Sequence, residues 1–557
     1  ALEDDSTGAI FAAADSGFGI SLLRDVARGP GIAMQTRGNT LSFLPPGNGR
    51  LPFLGLALTG LDQQADSMRS NASGIGTRLA VRSGSRWKLT DTFRRHSTPG
   101  QSMQPVAVGL GGAGQADFVA LTWSDGVYQT ELGLEAGRLH RITETQRQLS
   151  SCPVLFAWDG QRYVFVSDLL GVGGMGYFVE PGVYAPPRPW ENYLLPDGLL
   201  QPREGRYRLK IGEPMEEAAY LDSMRLAAWD LPPGWSMVLD ERMGILGPEP
   251  TGDAVFYREQ RLPGRATDTQ GRDVTAAVTK ADLHAPAVGE LDRRFIGRLM
   301  EPQLLTLEFD APLDRPGASP VLVIDGWVEY PYSQTMFAAW QAAADYRAPT
   351  LQARDADGRW HTLMEQFGYP AGMPRRMSVP LGKLPAGTDA LRLSTNQEIY
   401  WDRVAVVYSE PLPAAVRHEL PLSDAEVGFS GFALRTTGSQ RQPHYDYDRR
   451  SPLWDTRHIR GHYTDFGRAT ELLAEADDAL AIIGPGEEVH LEFEDDLPQL
   501  QSGWQRHFVL ESRGWAKDMD LYTEHGNTLE PLPDSGRPTA RRDELHERYN
   551  RRFRSGI

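Results

Sequence analysis

The sequence predicts a mainly β, multidomain protein, and three observations carry that expectation. Composition is the first: 57 glycines and 40 prolines favour turns and short strands over long helices. Next, the apolar runs are short, and turn dipeptides separate them as they do in hairpins. Finally, 557 residues exceed what one hydrophobic core serves, so several domains are expected.

Residues 1–45 alternate short apolar runs (AIFAAA, ISLL, LSFL) with turns that contain Gly and Asp, as small strands do. The pattern continues through a second segment, 46–145. There RLAVRSGSRWKL reads as a hairpin turned at Ser83–Gly84, and DFVALTWSDGVYQTEL as another turned at Asp125–Gly126. A central β-rich segment, 146–284, opens with CPVLFAWDGQRYVFVSDLL around Asp159–Gly160. Its Pro-rich residues 181–205 predict a long ordered loop, and residues 205–232 read as strand rather than helix. Within 285–410 the residues 301–325 and 349–408 predict an antiparallel sandwich. The one substantial helix falls at 333–346, where Ser333 is the expected cap of an Ala-rich run. The linker 408–424 leads into a last strand group, 411–535, with a short helix at 467–477. The tail 536–557 is basic and reads as a short helix or an arm.

The net charge of −17 excludes nucleic acid as the main partner, because phosphate binding needs clustered cations. Only five lysines occur (Lys88, Lys210, Lys280, Lys383 and Lys517), so nearly all cations are arginine. A single cysteine, Cys152, rules out an intrachain disulfide and a Cys-based zinc site, and before Pro153 it reads as an inert thiol. No run approaches the roughly 18 apolar residues of a membrane span. No signal peptide is read at Ala1, so the expected context is a mature terminus or the downstream part of a longer precursor.

Motifs in order then suggest a family. Asn71, Gly74–Ile75–Gly76, Gly109–Leu110–Gly111 and Trp123–Ser124–Asp125–Gly126 resemble the ASPIC/UnbV domain. That domain follows FG-GAP-type β-propellers in cartilage acidic protein and its bacterial relatives. The chain departs from the pattern at Ala107–Val108, where the family carries an aromatic pair. The resemblance implies that 1–45 is the end of a propeller blade and that 46–145 is the ASPIC/UnbV-like domain. It further implies that the rest is the long C-terminal extension of large bacterial relatives, with 285–410 resembling a galactose-binding jelly roll and 411–535 a final β-sandwich. Extracytoplasmic placement is implied by the same resemblance.

Chemistry is sparser. In TNQEIYWDRVAVV, residues 395–407, Glu398 and Asp402 sit on a segment of strand composition. Four residues at ~3.3 Å each put them ~13 Å apart, too far for the ~5–9.5 Å of glycosidase carboxylates, so a structural role is expected. The strand reading sends Ile399 and Trp401 one way and Tyr400 and Asp402 the other. His444, Asp446 and Asp448, with His458 and His462 nearby, form the densest set of candidate metal ligands. Asp518 and Asp520 beside Lys517 form an Asp-x-Asp that can bind Ca²⁺ when further oxygens are supplied. No complete metal loop is read, so no cofactor is expected. GVGGMG (171–176) lacks the Lys-Ser/Thr of a phosphate loop and reads as a flexible turn. Trp327, Tyr330, Tyr332 and Trp340 are the candidate stacking surface for a sugar ring.

The expected function is accordingly non-enzymatic recognition or assembly, with a protein or glycan partner. Two rivals are an extracellular glycan hydrolase drawing its acids from separate strands and a scaffold subunit of a larger complex. A cleft holding two carboxylates within reach of one sugar would favour the hydrolase.

Overall fold

The computed structural model describes residues 51–60, 71–93, 104–124, 128–144, 153–451, 457–537 and 540–555. Before residue 50 it describes the backbone of five strands between Leu2 and Leu44, and residues 45–46 and 48–49. The turn at Asp125–Gly126 and Cys152 lie outside the described residues. The fold is mainly β, and the chain divides into two compact units, 1–147 with 453–455, and 148–452 with 456–557.

In the first unit Gly19–Asp25, Gly29–Gln35 and Leu41–Leu44 form an antiparallel three-stranded meander. The described strands between Phe53 and Thr143 form a four-stranded and a three-stranded sheet, and Leu54, Leu56, Leu79, Val81, Val119 and Leu121 join them in one core. The motif residues have a packing explanation. Gly74 adopts φ +60, and a Cβ there would press to 3.1 Å from Leu58 and 3.2 Å from the Trp123 ring. Glycine is required on both counts, backbone and contact. Asn71 closes the loop by accepting from the Ile75 N–H at 2.7 Å and donating to its carbonyl at 2.8 Å. Trp123 is buried, and its indole donates to Gln129 at 2.9 Å.

The second unit is built from interleaved segments. The strand Arg206–Gly212 pairs with Glu487–Glu494, and Glu217–Leu231 pairs with Gln505–Asp518. The central and C-terminal segments of the sequence therefore share both of their main sheets. Leu209, Ile211 and Leu491 of one sheet and Leu226, Ala228 and Leu510 of the other meet in a single core. A separate eight-stranded sheet, with its own core, is organised on the 20-residue strand Ala390–Ser409, whose pairings are all antiparallel. Ile399 and Trp401 enter its core, as alternation requires, while Tyr400 faces Trp327.

Past Trp401 the register shifts. Trp401 opposes Gly326 and Arg403 opposes Asp325, which leaves Asp402 as the extra residue of a bulge. Glu398 and Asp402 are both buried, so they do not face water. Asp402 accepts the N–H groups of Asp282, Leu283 and His284 at 3.1–3.3 Å, which ties down the preceding loop.

The helix Ser333–Gln341 lies where the Ala-rich run predicts it. Its cap differs from expectation. Ser333 Oγ does not cap the helix but accepts from the Phe178 N–H at 3.1 Å, and Asp520, from another segment, accepts from the Gln334 N–H at 3.1 Å. The tail forms the helix Ala540–Tyr549 and the strand Arg552–Arg554, which pairs with Gly461–Tyr463. The helix predicted at 467–477 shrinks to Thr470–Leu473.

Candidate functional site

A cleft of about 720 Å³ opens in the second unit. Four segments meet there: the GVGGMG turn with the Pro-rich run that follows it, the loop 243–250, the residues leading into the helix at Ser333, and the paired strand ends at Glu217 and Asp518. Its volume falls within the range of small-molecule sites, and it sits where separately built sheets come together, a common place for them.

Each segment is held. The residues 171–173 form a 3₁₀ turn, Met175 N–H donates to Ala516 at 2.8 Å, and Arg188 N–H donates to Val172 at 2.8 Å. The run that reads as a flexible turn is therefore pinned to the sheet edge. Across from it, Met243 and Tyr369 exchange backbone hydrogen bonds of 3.0 and 3.1 Å. Gly368, at φ +114, allows that approach, because a Cβ would lie 2.2 Å from the Met243 carbonyl. Arg242, fully buried, anchors the same loop. It pairs with Asp240 at 2.8 Å, donates to the carbonyls of Phe367 and Ser378 at 3.1 and 3.0 Å, and reaches the Pro248 carbonyl. Tyr177 OH donates to the Pro331 carbonyl at 2.8 Å, bracing the first segment against the third.

The lining combines aromatic rings with acids. Tyr177, Tyr330, Tyr332, Tyr369 and Trp190 supply the rings. Glu217, Glu249 and Asp518 supply carboxylates, and among the described lining residues Arg188 supplies a guanidinium. Arg188 is already engaged, in an ion pair with buried Glu241 and at 4.3 Å over the Trp190 ring. Glu217 and Asp518 are direct partners in the antiparallel pair, so they share one face of the sheet with Cβ atoms ~4.5–5.5 Å apart. Next to them Glu213 is buried, and its carboxyl is pushed up to about 8, first by burial and also by the neighbouring charge of Asp518.

The residues singled out in the sequence fall in different places. Tyr330 and Tyr332 line the cleft. Trp327 does not: it is 1% exposed, stacks on Tyr400 at 5.3 Å and donates to the Gln440 carbonyl at 2.7 Å. Trp340 is exposed on the helix and is not among the lining residues.

His444, Asp446 and Asp448 alternate along the strand Pro443–Arg450, and no group of three or more His, Cys, Asp or Glu among the described residues converges as a metal would require. His458 packs edge-on to Tyr463, and burial pushes its imidazole down to about 4. Of the Asp-x-Asp pair, Asp518 faces the cleft, and Asp520 accepts from the Tyr522 and Gln334 N–H groups. Glu398 is paired with Arg441 at 2.7 Å and accepts from Tyr400 OH at 2.7 Å, a buried structural arrangement. Sequence reasoning missed Glu217, Asp518 as its partner, Trp190 and Tyr369. The only local signal was the density of Gly and Pro in 171–190 and 244–250, which marks ordered loops without saying what they enclose.

A family model described as "ASPIC and UnbV" matches residues 67–149, so the chain carries that domain in its first unit. No curated protein matches the chain. Among solved structures, the cryo-EM structure of an arabinofuranosyltransferase AftD from Mycobacteria is similar at 10% identity, over 89% of this chain and 34% of that one, with a TM-score of 0.14. The chain spans about a third of that protein's length, and a likeness this weak carries no argument about fold or function. Among the described residues no helix is long and apolar enough to cross a membrane.

Proposed function

We propose that the chain is an extracytoplasmic recognition protein whose second unit binds a carbohydrate segment in the cleft between the GVGGMG turn and the loop 243–250. The observation that carries this reading is the ring-lined cleft itself, with Tyr330, Tyr332, Tyr369 and Trp190 beside carboxylate acceptors. Sugar rings offer flat C–H faces to aromatic side chains and hydroxyl donors to carboxylates, and this lining supplies both. The extracytoplasmic placement rests on the ASPIC/UnbV domain, and in the same reading the meander of residues 19–44 is the closing part of a propeller blade.

Isothermal titration of short β-linked oligosaccharides into the protein tests this reading. Binding that weakens about 10-fold in Trp190→Ala, with the circular dichroism spectrum unchanged, is the expected result. Equal affinity in wild type and variant would place the ligand elsewhere.

A hydrolytic reading draws on Glu217 and Asp518, two carboxylates that are direct partners across one antiparallel pair at the cleft. They stand side by side on one sheet face, however, whereas hydrolytic acids flank the bond they cut. Release of reducing ends from the bound oligosaccharide, abolished in Glu217→Gln, would establish hydrolysis in place of binding alone.

A further inference from the structure

We propose that the edge strand Arg86–Asp91 of the first unit takes up an extended, acidic segment of a partner protein as an added strand. This surface belongs to a different unit from the saccharide cleft and is independent of it.

The four-stranded sheet runs in the order Tyr128–Glu135, Gln115–Thr122, Arg78–Ser83 and Arg86–Asp91, so the last strand lies at an end. Its inner side pairs with Arg78–Ser83 through a two-residue hairpin turn that Gly84 opens at φ +59. In such a hairpin the closing pair, Ser83 and Arg86, exchanges both backbone hydrogen bonds, and bonded pairs alternate from there. Val81 and Lys88 form the next bonded pair, so Trp87 and Leu89 turn their N–H and C=O groups away from the sheet. Among the described residues no strand pairs with that outer side. A row of backbone groups left this way is a template for another strand.

The side chains give the added strand its apolar face. Trp87 and Leu89 share one face of the strand and are 53% and 79% exposed. Across the sheet Trp87 opposes Arg82, Arg82 opposes Phe118, and Phe118 opposes Leu132. The Trp87 and Phe118 rings meet edge-on at 6.0 Å, with the Arg82 guanidinium 5.9 and 5.7 Å from them. This row ends at the open edge, where an apolar residue of an incoming strand would continue it.

Charge selects the occupant. Residues 78–91 carry four cations, Arg78, Arg82, Arg86 and Lys88, against one acid, Asp91, in a chain of net charge −17. Edge lysines commonly turn other strands away. Lys88 instead folds back and donates to the Gly109 carbonyl. A second copy of the strand would bring Arg86 and Lys88 against their own equivalents, and like charges across a strand pair are destabilising. A segment that alternates acidic and apolar residues meets the cations on one face and the apolar row on the other.

An eight-residue peptide of alternating Glu and Val tests the proposal on the full chain, beside two controls. One is the Lys–Val counterpart. The other is the Glu–Val peptide with its valines N-methylated, which removes the N–H groups that would bond Trp87 and Leu89. The expected result is exchange of amide hydrogens over residues 86–91 slowed at least about 10-fold by the Glu–Val peptide and by neither control. Leu89→Pro removes one outward N–H and spares the inner ladder, as an edge strand allows, so it should abolish the protection at unchanged melting temperature. Should that variant fail to fold, the double variant Arg86→Glu, Lys88→Glu decides, because it should transfer the preference to the Lys–Val peptide. Equal protection by both charged peptides, protection by the N-methylated one, or none by any would overturn the proposal. Protection that grows with protein concentration alone, with doubled mass in light scattering, would give the edge to a second copy and overturn it as well.

Discussion

Arg441 shows how a single residue organises this molecule. It pairs with Glu398 at 2.7 Å and lies 3.7 Å from Glu329, and burial pushes the Glu329 carboxyl up to about 8 and the Glu398 carboxyl up as well. Removing the guanidinium leaves two buried acids to be neutralised or hydrated. Arg441→Ala is expected to cost about 3–5 kcal/mol, the usual penalty for stranding one side of a buried pair. Chemical denaturation measures it, and a loss under about 1 kcal/mol would mean that water already reaches the acids. The sequence made Glu398 and Asp402 legible as strand residues with structural roles, because composition and alternation are local properties. It could not show their burial, because their partners, Arg441 and the loop 282–284, come from segments distant along the chain. The same limit separated Trp327 from Tyr330. Both read as aromatic, and only tertiary placement put one in a core and the other on a cleft.

Among the elements, the tail shows what the sequence left open. It reads as a basic short helix or arm, and in the structure its arginines close the fold. Arg541 pairs with Asp477, Arg548 with Glu471 and Arg551 with Asp465, while Arg552 grips buried Glu487 with both nitrogens, at 2.6 and 2.9 Å. The helix also buries Leu545 in the core of the interleaved sheets. Deleting residues 540–557 removes that leucine and leaves Glu487 without Arg552. The expected loss is at least about 5 kcal/mol, read as a large fall in melting temperature. Unchanged melting would show that the tail is an appendage after all. A second element, the loop 243–250, depends on Arg242, and Arg242→Met should weaken saccharide binding even where the protein remains folded. Helix and strand identities were legible here because period and composition are local. The cap on Gln334 was not, since Asp520 reaches it from another part of the chain.

At the scale of the whole second unit, buried acids set the pH response. Burial raises Glu213 and Glu329 to about 8, Glu241 to about 7 and Asp168 to about 6. A carboxyl whose folded pKa exceeds its unfolded value contributes stability at low pH and loses it as pH rises through the folded value. Melting temperature should therefore climb as pH falls from about 8 to about 6.5. Below about 6.5 the climb should slacken, because His458 and His546, held near 4 by burial, contribute stability that is lost as pH falls. A flat profile between pH 8 and 6.5 would mean that these acids are hydrated. The interleaving of segments that produces this burial was not readable in the sequence. Pairing Arg206–Gly212 with Glu487–Glu494 joins strands nearly three hundred residues apart, and no local pattern encodes such a partner. The mainly β architecture and the ASPIC/UnbV domain were legible, through composition and an ordered set of short motifs.

The central claim, that a carbohydrate occupies the cleft of the second unit, is tested most directly by hydrogen–deuterium exchange of the full chain with and without a saturating oligosaccharide. Occupancy of the cleft predicts slower exchange in residues 171–190 and 243–250 and around 330–334, with the sheets of residues 53–143 unchanged. Protection confined to residues 53–143, or no protection under saturating ligand, would contradict it.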